Sequence, residues 1–124
     1  MPDVQVWGGG PFDNGRASVT LGAFIIKLAE DLGAEIKHLE RRKVAEQEAV
    51  ALVKCLNVLL KFDEHRSMGP PRWKAEAWRD RFQAWFDSAN NKIPQKWRAA
   101  TLEMAQREFK TLIARCPFMQ EGVE

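Results

Sequence analysis

Residues 44–61, VAEQEAVALVKCLNVLLK, decide the fold. Ala45, Ala49, Leu52, Val53, Leu56, Leu59 and Leu60 follow the three-and-four spacing of one helix face. Val50, Cys55 and Val58 widen that stripe until almost the whole circumference is apolar, so this helix is expected at the centre of a bundle. Upstream, Leu21, Phe24, Ile25, Leu28 and Leu32 repeat the spacing from Ala17 to Gly33, where the glycine supplies a stop. Ile36 and Leu39 continue a similar face over 34–42, and a kink or short break is expected at Gly33.

Downstream, Gly69, Pro70 and Pro71 make 62–71 a loop, because the prolines lack amide donors and fix φ. Trp73, Ala77, Trp78, Ala84, Trp85 and Phe86 then mark a helix over 72–87. Ser88, Asn90 and Asn91 open a second connection that runs to Pro94. Leu102, Ala105, Phe109, Leu112, Ile113 and Cys116 mark a last helix of about 18 residues, ended by Pro117. No segment alternates apolar and polar residues with β-branched enrichment, which excludes a sheet. The expected fold is all-α, a compact bundle of four or five helices.

The chain has 124 residues, 45% hydrophobic and 29% charged, enough for one core and one domain spanning 1–124. Within it, 1–16 forms an N-terminal motif segment and 117–124 a tail. No basic segment followed by an apolar run opens the chain, so no secretory leader is expected. Lys27, Lys54 and Asn57 interrupt the longest apolar stretches, which fall short of the roughly 20 residues that span a bilayer. A cytoplasmic protein without membrane attachment is expected. Cys55 and Cys116 form no CxxC pair and read as reduced thiols, with Cys55 on the buried helix behaving as a small hydrophobe.

The most unusual stretch is Trp7-Gly8-Gly9-Gly10-Pro11-Phe12-Asp13-Asn14. Its glycines permit tight turns, Pro11 stiffens the exit, and Asp13 or Asn14 stands where a helix cap belongs. A phosphate cradle would need a preceding strand and a Lys-Ser/Thr pair that the motif lacks. Trp7 and Phe12 are therefore read as a Gly-rich plug wedged between helices. The motif resembles the opening of a widespread bacterial family of small domains of unknown function, which begin Trp-Gly-x-Gly-Pro-Phe-Asp/Glu-Asn-Asp and continue into a helix. Trp7, Gly8, Gly10, Pro11, Phe12, Asp13, Asn14 and Ala17 match, while Gly15 replaces the usual Asp. The resemblance implies a domain without enzymatic activity, and some members of the family are similar to immunity proteins of bacterial toxin systems.

The chemistry-bearing residues point the same way. Glu35 and His38 form one Glu-x-x-His pair, the half-motif that di-iron bundles use twice, and only His65 could join it. No metal site, cofactor or catalytic set is expected. Charge is uneven: 1–35 carries a net −3, whereas 36–115 holds 17 basic against 10 acidic residues, a net +7, within a total of +2. Arg72, Trp73, Lys74, Trp78, Arg79, Arg81, Trp85, Lys92, Lys96, Trp97 and Arg98 interleave cations with tryptophans, as single-strand binders do. Trp78 and Trp85 share a helix face, however, which favours core or protein contact.

The expected function is a non-catalytic binding protein of the immunity or antitoxin kind, which occludes a cognate toxin. Candidate contact residues are the acidic Glu30, Asp31, Glu35, Asp63 and Glu64 and the basic or aromatic Arg72, Trp73, Arg79, Lys96 and Trp97. The alternative is a small nucleic-acid-associated or regulatory protein using 72–98. A second copy of the chain is a further candidate partner.

Overall fold

The computed structural model describes residues 15–39, 45–63, 67–88 and 93–118. The motif 7–14 with its plug, the cluster Arg41-Arg42-Lys43, and Glu64, His65 and Lys92 lie outside the described residues. Four helices and no strand occur among those described: α1 (Gly15–Lys37), α2 (Ala45–Leu60), α3 (Arg72–Asp87) and α4 (Gln95–Arg115). The all-α bundle expected from periodicity is what the chain forms.

Contacts join α1 to α2, α2 to α4, α4 to α3 and α3 to α1, closing a ring around one core. Leu21, Ile25, Leu32 and Ile36 enter it from α1, and Val53, Leu56 and Leu60 from α2. From α3 and α4, Phe82 meets Trp85, Phe86 and Phe109 at ring separations of 5.8, 6.4 and 5.7 Å. Tilted or offset rings at these distances add to the stabilisation from burial.

Gly33 does not stop α1. The helix runs through it with the Trp78 indole packed alongside, and a Cβ built there would stand at ordinary contact distance, 3.6 Å from Trp78 Cζ2. Phe24, expected inside, is 60% exposed, since the core face of α1 passes through Leu21, Ile25, Leu32 and Ile36 instead. The central position expected for α2 is also corrected. It packs against α1 and α4 only on one side, and Cys55 and Val58 face solvent.

Prolines set both later helix starts. Lys74 N–H donates to the Pro71 carbonyl (3.0 Å) and Trp97 N–H to that of Pro94 (2.9 Å), with each proline ring fixing the entry φ. Arg72 N–H donates to the Pro117 carbonyl (2.9 Å), tying the start of α3 to the end of α4. The 62–71 connection is stapled by Asp63, whose two carboxylate oxygens accept from Ser67 N–H (3.2 Å) and Met68 N–H (2.8 Å).

Candidate partner-binding surface on α2 and α4

The exposed side of α2 carries Ala51, Cys55 and Val58, continued by Phe62 in the turn after the helix. Their spacing of four, three and four puts them on one ridge about 16 Å long, at 1.5 Å per residue. On α4, Trp97 and Met104 are seven residues apart and share a face. Val58, Phe62, Met104 and Trp97 are 42%, 44%, 45% and 55% exposed.

Two hollows line the seam between these helices. One, of about 490 Å³, is bounded by Val50, Ala51 and Lys54 from α2 and by Thr101, Met104, Arg107 and Glu108 from α4. The other, of about 580 Å³, lies where the two helices end and is lined by Lys61, Asp63, Lys110 and Arg115 with Leu60, Thr111 and Ala114. Because Val50 pairs with Thr101 at one end and Leu60 with Ala114 at the other, α2 and α4 run parallel.

Between the hollows stands a buried polar pair. Asn57 Nδ2 donates to the Glu108 main-chain carbonyl (2.9 Å) and to Glu108 Oε1 (3.0 Å). Glu108 Oε2 lies 3.6 Å from Lys54 Nζ and 4.0 Å from Arg107 Nε. A carboxylate this enclosed is held by partners on three sides, which fixes the register of α2 against α4.

The residues singled out from sequence do not form one site. Glu30, Asp31 and Glu35 are on α1, where Asp31 pairs with Lys27 at 3.0 Å. Asp31 and Glu35 line a hollow of about 410 Å³ against Ala51 and Leu52 of α2, the edge of the same ridge. Asp63 is not a surface charge, because it is buried and engaged in its own loop. Arg72 donates to the Cys116 carbonyl (3.3 Å), Trp73 is half-buried, and Arg79 pairs with its neighbour Asp80 (2.9 Å). The interleaving of cations and tryptophans along 72–98 does not form one face, since Trp78 and Trp85 are in the core. Lys96 and Trp97 do reach the α4 surface, with the ammonium 5.3 Å from the indole ring centre.

Sequence reasoning missed Lys54, Val58, Phe62, Met104 and Arg107 as surface candidates. The apolar spacing of Ala51, Cys55, Val58 and Phe62 was visible, but periodicity does not say how many neighbours surround a helix. Among the described residues no group of three or more His, Cys, Asp and Glu is gathered closely enough to hold a metal ion, and no helix is long and apolar enough to cross a membrane. A scan against family models and searches of curated proteins and of solved structures find no match for the chain.

Proposed function

We propose that this chain is a non-catalytic protein-binding domain that acts as an immunity or antitoxin-like protein, covering the working surface of a cognate bacterial toxin. The observation that carries the reading is the outward apolar ridge of α2 beside the Met104 face of α4, bordered by Lys54 and Arg107. An apolar centre with a charged rim is the anatomy of a protein interface, and side chains such as Val58, Phe62 and Met104 gain by being covered. The resemblance carried by Trp7, Gly8, Gly10, Pro11, Phe12, Asp13 and Asn14 supports the immunity part of the proposal. A second outward set, Val19, Phe24 and Ile26 on α1, has no hollow beside it, whereas Ala51 and Met104 of the α2–α4 surface line one.

Tagged full-length chain, recovered from the cells that make it with and without nuclease, tests the proposal. A stoichiometric protein that survives nuclease and is lost from folded Val58→Arg and Met104→Arg variants is the expected result. Equal recovery by those variants would overturn the assigned surface. Exposed Trp97 beside Lys96 favours the nucleic-acid alternative enough to name its signature: nuclease-sensitive recovery that weakens steeply between about 50 and 200 mM salt.

A further inference from the structure

We infer that the occupant of the α2–α4 seam is an acidic amphipathic helix of the partner, an inference that rests on the protein-binding reading above. The linings of the two hollows carry an excess of cations, with Lys54, Lys61, Arg107, Lys110 and Arg115 against Asp63 and Glu108. Lys61, Lys110 and Arg115 border the hollow at the helix ends, and none of them has an ion pair among the described residues. Asp63 lines the same hollow and offsets one of these charges, though its two oxygens already accept backbone N–H groups. The C-terminal ends of α2 and α4 contribute about half a negative charge each, which still leaves the hollow net positive.

At the other hollow, Lys54 and Arg107 approach Glu108, yet their side chains are 62% and 68% exposed, so both also reach outward. Cations therefore stand along the whole seam, from Lys54 to Arg115, with Ala51 and Met104 beside Lys54 and Arg107 in one hollow and exposed Val58 on the outward side of α2. From Thr101 to Arg115 the seam extends about 21 Å along α4, close to four turns of a docked helix. A helix fits where a strand does not, because two parallel helices offer a groove and no unpaired sheet edge. Apolar residues at three-and-four spacing would fill the Met104 hollow, and carboxylates on the flanks would meet the lysines and arginines.

Nucleic acid fits less well. Single-strand binding pairs phosphate contacts with successive exposed rings for stacking, whereas this surface exposes Phe62 and Trp97 at its opposite ends, with Val58 and Met104 between and Trp78 and Trp85 buried.

The test uses the full chain and two labelled synthetic helices of about 18 residues, about 27 Å long. Both carry leucines at the same three-and-four positions, with glutamates elsewhere in one and lysines elsewhere in the other. Fluorescence anisotropy should show the acidic peptide binding at least tenfold more tightly than its basic twin, with amide shifts confined to 50–62 and 97–115. Lys61→Glu/Lys110→Glu should reverse that preference, whereas Lys74→Glu on α3 should leave it unchanged. Equal affinities, no binding of either peptide at millimolar concentration, or shifts mapped to α1 would overturn the inference. Tighter binding of an oligothymidine of equal charge at the same face would overturn it in favour of nucleic acid. If the peptides fail while the cellular partner is still lost from Val58→Arg and Met104→Arg, the protein-binding reading stands and only the acidic helix is refuted.

Discussion

Truncating Asn57 to alanine tests the register of the α2–α4 seam. Its Nδ2 makes one bond to an almost fully enclosed carboxylate and one to a main-chain carbonyl. Bonds to charged groups contribute about 1.5–3 kcal/mol and neutral ones about 1 kcal/mol. Opposing them, Asn57 Oδ1 is buried with no hydrogen-bond partner among the described residues, a cost of about 1–3 kcal/mol that truncation removes. Asn57→Ala should therefore lower stability by about 1–2 kcal/mol, and Glu108→Ala by a similar amount. Because both changes break the bond between Asn57 Nδ2 and Glu108 Oε1, the double variant should lose at least about 1 kcal/mol less than the two single losses added. Urea unfolding of the four proteins gives this coupling directly. Additivity to within about 0.5 kcal/mol would mean that the two side chains do not interact as the geometry states.

Three further outcomes follow from particular residues. Gly33→Ala should raise stability by about 0.5–1 kcal/mol in thermal or urea unfolding, because a Cβ there meets Trp78 at ordinary contact distance and the helix interior prefers alanine; a loss instead would place Gly33 at a helix end. Of the two cysteines, exposed Cys55 should react with a thiol reagent in the native protein and buried Cys116 only on unfolding; two fast equivalents would contradict the packing around α4. Burial pushes the Cys116 thiol up from its ordinary 9.0 to about 12, with Arg72 opposing. The folded chain then keeps a proton that the unfolded chain releases, so stability should fall by up to about 1.4 kcal/mol per pH unit above about pH 9. Cys116→Val should flatten that slope, and an unchanged slope would exclude Cys116 as its source.

Much of the architecture is written in local pattern. The bounds of α3 were legible from Pro71 and its aromatic spacing, and the end of α4 from Pro117. The start of α4 was not, because residues 95–101 are about two turns in which Trp97 is the one large apolar residue to signal a face, and it is Pro94 that sets the entry. Gly33 misled because a glycine within a helix and one at its end look alike without the Trp78 ring that packs on it. The candidate surface was hidden for a related reason. Residues Ala51, Cys55 and Val58 satisfy the same periodicity as a core stripe, and only the arrangement of neighbours shows that α2 is covered on one side. Asp63 shows the reverse: a charge read as surface is consumed by its own loop, a contact set by the turn and not by any motif.

The most direct test of the account is amide hydrogen exchange of the full chain, alone and bound to the protein recovered with it. The account predicts new protection over 50–62 and 97–115, centred on Val58 and Met104. Protection confined to 15–37 or to 72–87, with the α2–α4 seam unchanged, would contradict it.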